Sequence, residues 1–141
     1  MKKVLFALVV LLLSAGASAF AQESNELAAV ATAAGSAREF RVLAAATVAA
    51  TVFDIESTFY GLGRCPSCGE ANPLVAPFIK GGRPAVYGIE GAMTLSSILL
   101  ANHFRKSQNP SYRRMWRWAL LMPISIHVTA GSLNFRLAKT W

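Results

Sequence analysis

Ala85–Phe104 reads AVYGIEGAMTLSSILLANHF, twenty residues with a single formal charge, Glu90. An α-helix rises about 1.5 Å per residue, and about 20 predominantly apolar residues cross a bilayer core of about 30 Å. The stretch therefore predicts a membrane-spanning helix over 85–104. Downstream, Trp118–Phe135 (WALLMPISIHVTAGSLNF) has eighteen residues and no formal charge. It predicts another crossing, with Pro123 accommodated by neighbouring helices. Upstream, Val42–Leu62 (VLAAATVAATVFDIESTFYGL) offers twelve apolar or small residues before Asp54 and Glu56. On insertion scales a mid-helix Asp costs about 2.5–3.5 kcal/mol, while each strong apolar residue returns about 0.3–0.6. This span needs its neighbours.

The rest of the chain is consistent with that reading. Of 141 residues, 54% are apolar and 15% charged, against about 25% charged in ordinary soluble domains. The length suits one domain, and two cysteines exclude a disulfide-dense scaffold. A collagenous repeat, a disordered acidic tail and a multidomain enzyme are excluded as well. Met1-Lys2-Lys3, the apolar run Val4–Leu13 and the small-residue sites Ala17-Ser18-Ala19 and Ala19-Phe20-Ala21 follow the order of a secretory signal peptide. Cleavage is expected after Ala21, with an uncleaved anchor as the alternative. The expected organisation is a signal peptide over 1–21, an alanine-rich lead helix over 22–40, a three-span membrane domain over 41–136 and a tail over 137–141. Its spans cover about 42–62, 85–104 and 118–135. The fold class is all-α, a small antiparallel bundle of three transmembrane helices in a bacterial cytoplasmic membrane.

Fourteen Lys and Arg against seven Asp and Glu leave a net charge of +7. Arg105, Lys106, Arg113, Arg114 and Arg117 cluster between the second and third spans, which points to anionic lipid headgroups and away from nucleic acid. Trp116, Trp118 and Trp141 flank the third span, where indoles favour headgroup depth. The positive-inside rule puts the basic segment in the cytoplasm, whereas a cleaved signal followed by three crossings puts it outside. Orientation stays open on these grounds.

Ionisable groups inside membrane helices are expensive and mark candidate sites. Thr47, Thr51, Asp54 and Thr58 fall at helical spacing on one face, as do Tyr87, Glu90, Thr94 and Ser97, and Pro123, His127, Gly131 and Asn134. At 1.5 Å per residue, Asp54 is about 13 Å from Gly63, Glu90 about 9 Å from Pro84, and His127 about 13 Å from Arg136. In antiparallel order those three ends share one side, so Asp54, Thr58, Glu90, His127 and Asn134 form one polar layer. The layer serves either helix pairing (Asp54 with His127, Glu90 with Tyr87 and threonines) or a proton, ion or substrate site. Glu56 faces away from Asp54 and should snorkel. His103, beside Arg105 and Lys106, reads as a solvated loop residue.

The connector between the first two spans contains Cys65-Pro66-Ser67-Cys68 and Glu70-Ala71-Asn72-Pro73. Cys65 and Cys68 suit a disulfide closing a tight loop, a free thiol pair, or metal or redox chemistry. A structural zinc site needs four ligands, and the chain holds one C-x-x-C. Asn72-Pro73 matches a helix N-cap followed by its first residue, predicting a short helix over 74–79. Glu70, Asn72 and Pro73 would cap the polar layer.

Asp54-x-x-x-Thr58 followed by Glu70-x-Asn72-Pro73 resembles a group of small uncharacterised bacterial membrane proteins with a D-x-x-x-T helix and an E-x-N-P loop. The resemblance covers roughly 38–135. It implies a three-span integral membrane domain without a catalytic assignment, to which the cysteine pair and the alanine-rich lead are additions. Two functions remain. One is a structural or accessory bundle that pairs with a second copy or another membrane protein. The other is a small proton- or cation-handling component built on Asp54, Glu90 and His127. No hydrolase, metalloprotease, P-loop or dinucleotide motif is present, so an enzyme is the less favoured reading, and neither cofactor nor metal is expected.

Overall fold

The computed structural model describes residues 36–65 and 67–140. The expected signal peptide, most of the alanine-rich lead and Trp141 lie outside the described residues. Helix α1 (Ser36–Arg64) is followed by the four-residue α2 (Ala76–Ile79), then α3 (Gly82–Lys106) and α4 (Pro110–Ala138). No strand occurs among the described residues. The three long helices have 29, 25 and 29 residues, or about 44, 38 and 44 Å. Each outruns its expected apolar stretch at both ends, because helical hydrogen bonding continues into flanks that apolar patterning does not mark. His103, expected in a loop, is an exposed residue near the end of α3.

Among the described residues two helices, α1 and α3, are long and apolar enough to cross a membrane. Helix α4 does not meet that standard, which corrects the expectation of three apolar spans. Ser125, His127, Thr129, Ser132 and Asn134 dilute its apolar residues.

Local chemistry sets the turns. Asn109 accepts a hydrogen bond from the Ser111 amide at 2.9 Å, with Pro110 in the first turn, so α4 opens with a side-chain cap. Gly82 has φ +71°, a left-handed conformation that glycine adopts cheaply, and it turns the chain from α2 into α3. The expected helix over 74–79 is shorter. Asn72 accepts from the Leu74 amide at 3.0 Å through its side chain, while its carbonyl accepts from Val75 and Ala76. Asn72 thus caps a turn at 73–75, and the helix begins only at Ala76.

Two apolar clusters join the long helices. Ile55, Val75 and Val86 pack with Phe59, Ile79 and Met93 near the connector. Ala101, Trp116 and Leu120 pack with Phe40, Leu43, Ile98 and Phe104 around the α3–α4 turn. Trp116 is therefore a core residue, against the expectation of a headgroup indole, whereas Trp118 is 64% exposed.

Burial elsewhere is reversed relative to a water-soluble domain. Thr47, Thr51, Ser57, Glu90 and Thr94 are buried, while Val42, Val48, Val52, Leu95, Leu99 and Leu100 are exposed. The threonine hydroxyls are satisfied within the bundle. Thr51 donates to the Thr47 carbonyl at 3.0 Å, so Thr94 donates to Thr51 across the α1–α3 seam at 2.8 Å.

Leu120 is fully buried. Leu120→Ala should lower unfolding free energy in micelles by about 2–5 kcal/mol. A loss below about 1 kcal/mol would contradict this account of the second cluster.

Candidate functional site

The sequence brings three ionisable side chains from three helices to one level. Asp54 sits on α1, Glu90 on α3 and His127 on α4. His127 Nδ1 is 2.9 Å from Asp54 Oδ2, and its Nε2 is 3.9 Å from Glu90 Oε2. The imidazole thus stands between two carboxylates, in hydrogen-bond contact with one and a short step from the other. Side-chain exposures are 17% for Asp54, 14% for His127 and 5% for Glu90. Screening by water is weak at such burial, and buried groups of this kind require partners.

Asn134, two helical turns beyond His127, braces the Asp54 side. Its amide nitrogen lies 2.9 Å from Thr58 Oγ1, 3.2 Å from Ser57 Oγ and 3.5 Å from Asp54 Oδ1. The amide has two hydrogens, so the two shorter contacts use them and the Asp54 contact is the weakest. Ser57 donates in turn to the Asp54 carbonyl at 2.8 Å.

Gly131 makes this approach possible. A Cβ there would lie 2.5 Å from Phe53 Cε1 and 3.2 Å from Ser57 Oγ, so α4 meets α1 closely just where His127 and Asn134 reach across. Phe135, stacked obliquely on Phe53 and Tyr60 at 5.6 and 5.2 Å, closes the same seam.

Glu90 is different. Its Oε2 is buried without a hydrogen-bond partner. The expected pairing with Tyr87 and threonines is not present. Tyr87 donates instead to Glu56 at 2.9 Å, and Arg83 Nε lies 3.3 Å from the same carboxylate. Glu56 thus stays half-exposed and paired near the connector, and Thr94 is engaged with Thr51.

Above the layer lies a cavity of about 520 Å³, lined by Asp54, Thr58, Glu70, Asn72, Glu90, His127 and Asn134 among apolar neighbours. Glu70 accepts from the Asn72 amide at 2.8 Å, which orders the connector over the cavity. Pro73 is exposed in the following turn and is not among the lining residues. Cys65 and Cys68 form a disulfide and line an adjoining cavity of about 180 Å³ with Thr58, Glu70 and Asn134. Among the described residues, no three His, Cys, Asp or Glu side chains are arranged to share a metal ion.

A family model described as a domain of unknown function, DUF5658, matches residues 45–137. The chain belongs to the DUF5658 family. The DUF5658 match includes all of Asp54, Thr58, Glu90, His127 and Asn134, together with the connector. Comparison with curated proteins and with solved structures finds no match.

The spacing of 54/58, 90 and 127/134 pointed to the residues of the layer. Ser57 and Phe53 carry no such signal in the sequence, since their importance depends on the close approach at Gly131.

A double-mutant cycle on Asp54→Asn and His127→Gln should give a coupling of about 1.5–3 kcal/mol, the range for hydrogen bonds to charged groups. The Glu90→Gln and His127→Gln cycle should give less, because 3.9 Å is beyond hydrogen-bond range. Equal couplings would contradict the asymmetry.

Proposed function

We propose that this chain is a multi-pass protein of the bacterial cytoplasmic membrane, and that its buried Asp54–His127–Glu90 layer handles protons or cations. The observation that carries the reading is the imidazole of one helix standing between carboxylates of the two others. Burial supports the membrane setting, since Val42, Val48, Leu95, Leu99 and Leu100 face outward while Thr47, Thr51, Ser57, Glu90 and Thr94 are buried. In this reading α4 crosses with α1 and α3. Trp118, Met122, Ile126, Leu133 and Leu137 are exposed along it, while His127 and Asn134 point to α1.

Proton handling follows from the distances. With the Nδ1 hydrogen donated to Asp54, Nε2 offers its lone pair towards Glu90. A proton on Glu90 Oε2 crosses to Nε2 after a shift of about 1 Å brings the pair into hydrogen-bond range. The Nδ1 proton then passes to Asp54 Oδ2, so one proton moves from Glu90 on α3 to Asp54 on α1 and His127 is left protonated on Nε2. Release from Asp54, reloading of Glu90 and return of the imidazole to its Nδ1–H form complete a cycle. A scaffold role accounts for the His127–Asp54 and Asn134–Thr58 bonds, and the orphaned Glu90 oxygen is what favours an ionic role over a scaffold alone.

Orientation is part of the proposal. Disulfides persist in oxidising compartments, which favours the connector with Cys65–Cys68 on the outer face. The α3–α4 turn carries Arg105, Lys106, Arg113, Arg114 and Arg117, which the positive-inside rule favours in the cytoplasm against anionic headgroups. These two arguments agree, and both oppose the orientation that a leader cleaved after Ala21 would set.

In proteoliposomes with an imposed pH gradient, the full chain should dissipate the gradient faster than protein-free vesicles. Asp54→Asn, Glu90→Gln and His127→Gln should each abolish the difference while preserving helical content. Folded variants with undiminished flux, or a wild-type chain without flux, would defeat the relay. In whole cells, a membrane-impermeant thiol reagent should label Cys65 and Cys68 only after reduction and without permeabilisation. Labelling that requires permeabilisation would reverse the orientation.

A further inference from the structure

We infer that the 520 Å³ cavity between the connector and the ionic layer binds a small organic cation, an ammonium head on a short apolar body. The inference names the cargo of the proposed ionic layer and so rests on that reading, but its test is binding rather than flux.

Four observations converge. The first is size. A water occupies about 30 Å³ of liquid, so about 520 Å³ far exceeds one water or a bare ion and falls within the usual range of ligand pockets, about 300–1,000 Å³. The second is charge. Three carboxylates, Asp54, Glu70 and Glu90, line the cavity, and no lysine or arginine does. The field therefore selects cations.

The third is an unmet acceptor. Glu90 has a side chain 5% exposed, and its buried Oε2 has no hydrogen-bond partner. A carboxylate oxygen in that state is strongly unfavourable until a donor arrives, and an ammonium group carries three. The fourth is the donor set itself. His127 Nδ1 is committed to Asp54, and among the described residues no three His, Cys, Asp or Glu side chains can share a metal ion. An occupant that brings its own hydrogens suits this geometry better than a metal that needs convergent lone pairs. Other lining residues, including Ile55, Val86 and Leu133, are apolar and suit methylenes.

The test uses the full chain purified in a non-ionic detergent and titrated calorimetrically near pH 7 with ethyl-, butyl- and hexylamine. Alcohols of equal chain length serve as neutral controls. The amines should bind saturably, with affinity rising up to about fourfold per buried methylene, and the alcohols should not saturate. Glu90→Gln should weaken amine binding at least tenfold. Ala130→Phe, which fills the cavity without removing a carboxylate, should weaken it to a similar degree and covers the case in which Glu90→Gln does not fold. Alcohols binding as tightly as amines, no saturable amine binding, or unchanged binding in Ala130→Phe or folded Glu90→Gln would overturn the inference. Amine binding without proton flux would leave this site standing and remove the relay, while flux without amine binding would do the reverse.

Discussion

An imidazole between two carboxylates, each group contributed by a different helix, constrains everything around it. Removing one member of a buried pair leaves the other exposed to the full cost of desolvation. Asp54, His127 and Glu90 must therefore stay at one level, and the neighbouring contacts hold them there. Gly131 lets α4 approach α1, Asn134 ties α4 to Thr58 and Ser57, and the Thr51–Thr94 bond fixes α3 against α1. Apolar clusters at the connector and at the α3–α4 turn lock the two ends.

The layer is asymmetric, and the asymmetry bears on function. On the α1 side, the Asp54 carboxylate lies 2.9 Å from the His127 ring nitrogen and 3.5 Å from the Asn134 amide, as expected of a scaffold. On the α3 side, Glu90 has an oxygen without a partner beside a cavity of about 520 Å³. A bundle built only for stability gains nothing from that oxygen. Under the proposed reading an occupant explains it, either a proton that passes on to His127 or a donor group entering the cavity.

Much of this arrangement was legible in the chain because helices impose a strict period. Asp54 and Thr58, Thr94 and Glu90, and His127 and Asn134 fall on shared faces at spacings of four or seven residues. Partner choice was not legible. Tyr87 is three residues from Glu90 and on its face, yet it bonds Glu56 on α1, because that pairing depends on how α3 docks. Trp116 and Trp118 differ by two residues and by opposite faces, so one is core and the other exposed, a distinction that apolarity alone does not carry. Helix α4 shows the limit of composition. The half-buried His127 and Asn134 lower its apolar character, and so do the exposed Ser125, Thr129 and Ser132.

The central claim is that the exposed apolar surface of the bundle faces lipid, which makes the buried ionic groups consequential. Depth-resolved fluorescence quenching tests it most directly. Single cysteines introduced by Leu99→Cys on α3, Met122→Cys on α4 and Ala130→Cys beside the cavity would carry a fluorophore in bilayers of acyl-brominated lipid, with Cys65–Cys68 left oxidised. Strong quenching at 99 and 122 with weak quenching at 130 is the predicted result. Weak quenching at both 99 and 122, with iodide in the aqueous phase quenching them instead, would contradict the account.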